Sequence, residues 1–475
     1  MPITTLGQEW TVENYGLFMA FFEVVRLLFV FAFGACVGSL VNVLVYRLPL
    51  GLDVVTPTSR CPSCETHLTW RENIPVFGWL MLRGRCRFCR TQISAEYPIV
   101  EALVGFLFVV VYLTLYADGG SFLGVPVGAI RPDWANGGFV ETWPSFIIVL
   151  ILFSCLTAMT IVDARTFTIP LELMWPPVVV ALVGHVGHAF WIQHTGGPDG
   201  TGFGLSGAAR GWDWSIATPG REGWWWIGAS LGGTAGVVLS TVFLKFGLFR
   251  RSFADYPEWE AKVLKEADEQ AEATGTVDAR TQQDLWIQYP HARREMLREL
   301  IFVAPIVGLA LIGGWAAYRL AGPWQFDMNE FRMSPWHTAP LWLVVLAGVL
   351  MGYLIGGAVV WAVRIFGSLA FGKEAMGLGD VHLLAAVGAC LGWIDAVAAF
   401  FVGTFVGAVW GIAGRVVAGR AGDSAQSATW KRALTAPLPF GPHLAIGTLL
   451  VWFGKPLVEM GLDHIVRGEG GINLP

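Results

Sequence analysis

Long apolar segments alternate with shorter polar ones along most of the chain. Ten of them come close to or exceed the roughly 17 to 25 residues that a bilayer-spanning helix needs; they are 17–46, 97–117, 143–163, 171–193, 224–247, 299–320, 340–365, 380–394, 396–418 and 438–456. Segment 380–394 is the shortest, and its boundary with the next segment is open. The pattern predicts an all-α polytopic membrane protein with about ten transmembrane helices.

Arginine and lysine are unevenly distributed over the predicted loops. The loop after the first helix, 48–96, is rich in arginine, whereas the next loop, 118–142, contains only Arg131. Loops rich in basic residues stay in the cytoplasm, which predicts that 48–96 is cytoplasmic. Alternation of the helices then assigns three more polar segments to the same side; they are 249–298, 366–379 and 419–437.

The composition agrees with this pattern. Hydrophobic residues make up 54% of the 475 residues and charged residues only 14%, against about 25% charged residues in a soluble globular domain. These values exclude a water-soluble globular protein and predict an integral membrane protein with many spans. The 23 tryptophans are expected to lie mainly in belts at the two membrane surfaces.

The segment 249–298 is the most hydrophilic part of the chain. Its middle, EWEAKVLKEADEQAEA, combines Glu and Lys with strong helix formers and predicts a solvated helix. Two interpretations are open, a docking arm for another protein and a solvated cytoplasmic connector, and the composition favours the connector. The segment 194–223 is rich in glycine and predicts a loop on the outer side.

Four cysteines form two CxxC pairs in the loop 48–96. They lie in CPSCETHLTWRENIPVFGWLMLRGRCRFC, with 21 residues between the pairs. Cys61, Cys64, Cys86 and Cys89 can together present four thiolates to one tetrahedral Zn²⁺, and the neighbouring arginines favour deprotonated thiols. Disulfides and redox-active pairs are the alternatives, but a cytoplasmic location disfavours stable disulfides. Four cysteine ligands leave no open position, so the prediction is a small cytoplasmic loop domain with a structural zinc.

Two carboxylates, Asp163 and Asp380, are predicted at the same boundary of the membrane. Asp163 lies in the last apolar turn of a segment that ends TAMTIVDARTFTIP, and Asp380 follows a Gly-Leu-Gly tripeptide where the chain re-enters the membrane. Two neighbouring carboxylates do not both ionise easily. One can therefore deprotonate a water while the other donates to a peptide carbonyl, which is general acid–base hydrolysis. Gly377 and Gly379 would let the backbone bend and a substrate strand approach.

Each acid taken alone has a second interpretation. Asp380 directly precedes an apolar run, where aspartate is favoured as a helix N-cap. Asp163 is two residues from Arg165, and the pair would suit an ordinary loop. Glu101 is a third carboxylate at a similar predicted depth, near the start of the second helix.

Six blocks of the sequence resemble, in order, the type IV prepilin peptidases, which are membrane aspartic proteases with a GxGD motif. The blocks are GSLVNVLVYRLP (38–49), the two CxxC pairs with ENIPVFGWL (61–89), ISAEYPIVE (93–101), IVDARTFTIP (161–170), GKEAMGLGDVHLLAAVGACLGW (372–393) and PFGPHLAIG (439–447). The resemblance implies that Asp163 and Asp380 are the catalytic aspartates. It also implies that Gly377, Gly379 and His382 belong to the active-site loop and that the four cysteines bind structural zinc.

Such enzymes cleave the basic leader of type IV prepilin and type II secretion pseudopilin precursors at the cytoplasmic face of the bacterial inner membrane. Many then methylate the new N-terminus with S-adenosylmethionine, an activity associated with the cysteine-bearing N-terminal part. By resemblance, Asn42, Arg47 and Glu101 are candidates for the methyl-transfer or substrate region. Arg47 also suits a simple positive-inside anchor at a helix end, and Glu101 a partner for a nearby arginine. The expected partners are precursor proteins and the lipid bilayer, with no nucleic acid.

Three positions depart from the family pattern. Glu96 replaces the arginine of an ISxRYP block, Leu171 replaces an acid that often follows Pro170, and His382 replaces a lysine two residues after the second aspartate. His382 would tune the acid pair, contact the substrate, or simply lie on a helix face. Because the departures leave both aspartates in place, peptidase chemistry remains the expectation, whereas Glu96 weighs against methyl transfer.

Members of the family are usually shorter, so the resemblance implies a core of about eight helices plus an inserted pair, with the extra length between Pro170 and Gly372. The predicted parts are 1–118, with the zinc loop 48–96; 143–193, with the first aspartate; an insertion at 194–339; and 340–475, with the GxGD motif. Two other functions remain open. An ion- or proton-coupled transporter would use the two aspartates as carriers near the bilayer midplane, and a non-catalytic assembly factor would use the zinc loop and 249–298 for docking.

Overall fold

The protein is described by a computed structural model that covers most of the chain. The described ranges are 12–117, 121–122, 125–126, 131–195, 215–269, 289–420 and 439–466, with gaps inside them at 57–58, 62, 133, 136–137, 257, 260, 264, 267–268, 329–331 and 373. Parts of the predicted loops therefore lie outside the described residues; the longest missing stretches are 196–214, 270–288 and 421–438, and the loop 118–142 is described only in part. The chain forms two compact units, Met1–Gly128 and Ala129–Pro475.

The first unit is built around two long helices. Its described elements are α1 (Val12–Arg47), α2 (Phe77–Met81), α3 (Glu96–Tyr116) and the short antiparallel strands β1 (Ser121–Phe122) and β2 (Val125–Pro126). Helix α1 packs along α3. At this contact Gly38 lies against the backbone of Glu101, where a Cβ on the glycine would come within 2.7 Å of Glu101 Cα. Small residues let membrane helices approach this closely.

The second unit is a helical assembly with one β-hairpin. Its described elements are α4 (Phe139–Thr166), α5 (Trp175–Thr195), α6 (Trp224–Lys245), α7 (Ala292–Leu320), β3 (Trp324–Asp327), β4 (Arg332–Pro335), α8 (Leu341–Phe371), α9 (Leu378–Leu391), α10 (Trp393–Arg420) and α11 (Phe440–Val466). Strands β3 and β4 pair antiparallel, with Trp324 opposite Pro335. Helix α4 is the most buried of the long apolar helices, and α9 is buried along nearly its whole length.

Glycines bring α8 and α9 into backbone contact. Gly352 of α8 and Gly388 of α9 lie so close that a Cβ on either would overlap the carbonyl of the other. One turn further, a Cβ on Gly356 would overlap the carbonyl of Leu384. Because α9 carries Asp380, this tight packing fixes the helix that carries the acid to its neighbour.

All ten predicted segments form helices, and the prediction of an all-α multi-pass membrane protein is confirmed. Eight helices in the described part of the chain are long and apolar enough to cross a membrane; they are α1, α3, α4, α5, α6, α7, α8 and α10. Helix α9 is apolar but only 14 residues long. The spans predicted at α9 and α11, and hence the total of about ten, stay predictions.

The polar segment 249–298 is helical and solvated only in part. Residues described between 258 and 269 are helical and mostly exposed, as predicted. The two ends of the segment, however, are packed: Phe253, Tyr256 and Tyr289 are buried in one cluster that includes Ile365 of α8. A fully solvated connector is therefore wrong for these ends, where aromatic residues distant in sequence meet.

Candidate active site and metal centre

Asp163 lies in the last turn of α4 and is buried, with 6% of its surface exposed. The helix ends because Phe167 takes a left-handed conformation, with φ 53°, and donates its amide to the Asp163 carbonyl at 2.9 Å. The Asp163 carboxylate Oδ2 accepts the amide of Gly441, near the start of α11, at 3.0 Å. Asp163 is thus a buried helical residue, and the alternative of an ordinary loop acid is wrong.

Asp380 lies in the first turn of α9 and is also buried, with 8% exposed. Gly377, with extended backbone at ψ 151°, is the N-cap of this helix. The Asp380 carboxylate hydrogen bonds back to the Gly377 backbone, three residues earlier, as the acid of a capping box does. The N-cap interpretation of Asp380 is therefore wrong by three residues, because Gly377 takes that position.

The two aspartates lie close together in the second unit, near enough for their charges to interact. Ile169, in the extended segment after α4, closes one side: a Cβ on Gly379 would lie 3.1 Å from Ile169 Cβ, and one on Gly441 would lie 3.2 Å from Ile169 Cδ1. The ends of α4, α9 and α11 therefore meet at one place. Each end contributes either a carboxylate or a backbone amide that binds one.

His382 lines a small pocket. The pocket is lined by His382 together with Leu171, Met174, Trp175, Val178 and Tyr353. Two of the three departures from the family pattern, Leu171 and His382, thus share one mostly apolar site. Gly377 is exposed and Gly379 is half-buried, and the backbone before Asp380 is therefore partly accessible.

Two residues at the acid pair were not identified from the sequence. Gly441 supplies the amide that Asp163 accepts, and His443 is close enough to Asp163 for their charges to interact. His443 is buried, with its Nδ1 2.9 Å from the carbonyl of Pro439. The signal was present in the block PFGPHLAIG, but only the packing of α11 against α4 assigns these two residues to Asp163.

The four cysteines of the first unit form one cluster. Their Sγ atoms all lie within 4.8 Å of one another, and none is in a disulfide. Cys61 and Cys89 Sγ are 3.8 Å apart, and Cys64 and Cys86 Sγ are 3.9 Å apart. Zn–S bonds of about 2.3 Å in a tetrahedron imply sulfur separations of about 3.8 Å. The cluster therefore fits Zn²⁺ with all four cysteines as ligands.

The two CxxC turns have the same local geometry. In each, the residue after the second cysteine is left-handed, Glu65 with φ 54° and Arg90 with φ 60°. The next residue is a threonine whose Oγ1 lies 3.3 Å from the cysteine Sγ. Hydrogen bonding with Thr91 lowers the pKa of Cys89 to about 6, so that its thiolate forms readily. The repeated pattern CxxCxT, in CPSCET and CRFCRT, is the signal that sequence reasoning missed.

The side chains of Asn42, Arg47 and Glu101 form hydrogen bonds with the backbone of the first unit. Asn42 Nδ2 donates to the Tyr97 carbonyl at 3.0 Å, and Arg47 Nη1 donates to the carbonyls of Asp53 and Val54. Glu101 Oε2 accepts the amide of Val76, from the cysteine loop, at 2.7 Å. All three bind backbone of the chain itself. Glu96 lies in the first turn of α3, where the helix dipole stabilises a negatively charged side chain.

Comparison with known proteins identifies two parts of the chain. A family model described as the bacterial peptidase A24 N-terminal domain matches residues 32–115, and one described as the type IV leader peptidase family matches 305–412. The first match contains all four cysteines and the second contains Asp380. Asp163 lies between the two matches. The second match begins inside α7 and thus overlaps the predicted insertion 194–339, whose bounds stay a prediction.

Three relatives, each named prepilin leader peptidase/N-methyltransferase, are similar over about a third of this chain. The protein from Myxococcus xanthus (strain DK1622) is 35% identical over 162 residues, that from Klebsiella pneumoniae 35% over 177 and that from Aeromonas hydrophila 32% over 180. The matches cover 34%, 34% and 33% of this chain and 41%, 67% and 54% of the respective relatives. No solved structure matches.

These matches define a membrane peptidase class. The chain belongs to the type IV prepilin leader peptidase family, and the predicted resemblance to this family is confirmed.

Proposed function

We propose that the protein is an aspartic endopeptidase that removes the leader from type IV prepilin or pseudopilin precursors. The observation that carries the proposal is the meeting of two buried carboxylates, Asp163 and Asp380, at the ends of α4 and α9. Most buried acids are paired with a cation or neutralised. Two acids that face each other suit a pair that shares a proton and activates water.

The surroundings of the two acids give them different roles. Asp163 accepts the Gly441 amide and lies near His443, and both contacts stabilise a negative charge. Asp380 accepts the Gly377 amide but faces the charge of Asp163. We therefore assign Asp163 as the base that takes a proton from water and Asp380 as the acid that donates to the scissile carbonyl oxygen. The attacking oxygen forms a tetrahedral carbon, the C–N bond breaks, and a proton passes to the leaving amine.

The proposed location is the bacterial inner membrane, with the acids at its cytoplasmic face. Asp163 lies three residues before the end of α4, and Asp380 three residues after the N-cap of α9. Positions at helix ends suit a substrate whose basic leader is in water and whose apolar helix is in the bilayer. They do not suit the transporter alternative, in which carrier acids would lie near the bilayer midplane.

Zinc in the first unit is proposed to be architectural. Cys61, Cys64, Cys86 and Cys89 would hold it, and four thiolates leave no position for a substrate or water. Such an ion, when bound, stabilises the loop that connects α1 to α3. The proposed hydrolysis uses only Asp163, Asp380 and water.

Methyl transfer to the new N-terminus stays a prediction for this chain. The relatives' names include N-methyltransferase, and the family resemblance implies S-adenosylmethionine as the methyl donor. Asn42, Arg47 and Glu101 stay the predicted residues of the methyl-transfer or substrate region. In the structure each also binds backbone of the chain itself.

The peptidase proposal is tested with purified protein in detergent and a prepilin-like precursor. Mass spectrometry would follow the loss of the leader for wild type, Asp163→Asn and Asp380→Asn. Glu172→Gln is the matched control, since Glu172 is an exposed acid near Asp163 in sequence. We expect wild type and the control to cut, and each aspartate variant to lose at least about 10³-fold in rate. Normal cutting by either aspartate variant would refute the acid pair. Absence of cutting by wild type would favour the assembly-factor alternative.

A further inference from the structure

A second cluster of buried charged residues lies in the same unit as the acid pair. Arg364 of α8 is 1% exposed and Glu299 of α7 is 3% exposed. Arg364 Nε donates to Glu299 Oε1 at 3.1 Å. A buried ion pair stabilises little on its own, because desolvation offsets much of the attraction. Its retention therefore requires another reason, which the remaining contacts of the two residues provide.

Glu299 is bound by α8 and by the polar segment 249–298. Its carboxylate accepts Trp361 Nε1 of α8 at 2.6 Å and also the hydroxyl of Ser252. The guanidinium of Arg364 lies 5.3 Å from the ring centre of Phe253, at cation–π distance. Segment 249–298 therefore fixes the orientation of the Arg364 guanidinium through these groups.

The other edge of Arg364 contacts the loop that leads into the GxGD motif. Its Nη1 donates to the carbonyl of Met376 and to the carboxylate of Glu374. Met376 directly precedes Gly377, whose backbone binds the Asp380 carboxylate. The start of the same loop is also tied, because the Tyr289 amide donates to the Gly372 carbonyl at 2.7 Å.

We propose that Arg364 and Glu299 are positioning residues that set the conformation of residues 372–377 and thereby the position of Asp380; this inference rests on the proposed peptidase function. The loop begins and ends with glycine and lies between α8 and α9. The Arg364 contacts restrict it immediately before the N-cap. A misplacement of about 1 Å in a catalytic group costs about 10²-fold in rate, so the loop conformation directly affects turnover.

Arginine suits this role better than lysine. The guanidinium is planar and presents donors along separate edges. Nε faces Glu299 while Nη1 faces Met376 and Glu374. A lysine ammonium is a single point donor and cannot reproduce both edges. Glu299 lies outside both family matches and Arg364 lies within the second. The polar segment of this chain is thus coupled to a residue of the family core.

The test compares Glu299→Gln and Arg364→Lys with Asp395→Asn. Asp395 forms a second buried ion pair, with Lys455 at 3.1 Å, at the start of α10. It follows the far end of α9, which places it roughly 20 Å from Asp380 along the helix. Asp395→Asn therefore removes a buried charge of the same kind without touching residues 372–377. Trp361→Phe is added because it removes one hydrogen bond to Glu299 and keeps both charges.

Four quantities are measured for each variant: kcat and KM for precursor cleavage, the unfolding temperature, and hydrogen exchange of amides 372–377. For Glu299→Gln and Arg364→Lys we expect kcat to fall about 10-fold or more with KM changed by less than about 3-fold, and faster exchange in the loop. Trp361→Phe should show the same pattern with smaller changes. Asp395→Asn should lower the unfolding temperature and leave kcat and loop exchange unchanged.

The inference is overturned if the Glu299 and Arg364 variants lose thermal stability as Asp395→Asn does but keep wild-type kcat and loop exchange. If either variant does not fold, the kcat and the loop exchange of Trp361→Phe decide the question. If wild type does not cut the precursor, the proposed function fails separately. Loop exchange then still decides the inference: faster exchange supports it, and unchanged exchange overturns it.

Discussion

Replacing Gly441 by alanine would test the geometry of the acid pair with one methyl group. The Cβ would lie 2.7 Å from Asp163 Oδ2 and 3.2 Å from its Cγ. Carbon–oxygen contacts of this kind normally lie at about 3.3 to 3.6 Å, so the carboxylate must move by roughly 0.6 Å. A displacement of about 1 Å costs about 10²-fold in rate. We therefore expect Gly441→Ala to cleave a precursor about 10-fold more slowly than wild type.

Stability separates this effect from unfolding. Gly441 is not among the glycines with positive φ, and alanine in a helix is more stable than glycine by roughly 0.5–1 kcal/mol. Gly454→Ala on the same helix is the matched control, since a Cβ there meets no atom within 4 Å. The assay is kcat for leader removal together with thermal unfolding in detergent. Wild-type kcat in Gly441→Ala, alongside an inactive Asp163→Asn, would refute the idea that close packing of Gly441 against the Asp163 carboxylate sets its catalytic position.

Three further predictions concern the zinc loop and the helix packing. Cys89→Ser should abolish most bound zinc, measured by elemental analysis, whereas Cys36→Ser of α1 should retain it; undiminished zinc in Cys89→Ser contradicts the four-cysteine site. Removing zinc with a strong chelator should expose the arginine-rich loop to trypsin, seen as new cuts between the CxxC pairs; an unchanged digest would show that zinc does not hold the loop. Gly388→Ala should lower the free energy of unfolding by about 1–3 kcal/mol through overlap with the backbone of α8, while Gly308→Ala, with open space around it, should not. Equal unfolding temperatures for the two glycine variants would contradict the tight packing of α8 and α9.

The helices were predictable because bilayer-length apolar runs leave few other options for the backbone. The ends of the helices were less predictable than the helices themselves. Helix α4 ends at Thr166, three residues beyond the predicted 163, and α8 ends at Phe371, six beyond the predicted 365. In both, the helix ends at a left-handed residue, Phe167 or Gly372, that hydropathy does not mark. Helix ends set by backbone conformation are where sequence reasoning loses precision.

The aspartates could be predicted from their depth in the chain topology, but their partners could not. Gly441 and His443 meet Asp163 only because α11 packs against α4. Likewise, nothing local links Glu299 to Arg364, or Tyr289 to Gly372. The composition of 249–298 correctly predicted a solvated helix and missed the packed aromatic ends. Contacts of this kind depend on which helices become neighbours, and a hydropathy pattern does not specify that.

Two of the departures from the family pattern lie together at the pocket of His382. Where this chain has Leu171 and His382, the family resemblance implies an acid and a lysine, and both positions line one pocket. The carboxylates of Asp163 and Asp380 are held by the amides of Gly441 and Gly377 rather than by these side chains. The two departures therefore leave the backbone hydrogen bonds of the acid pair in place, and peptidase chemistry stays the prediction.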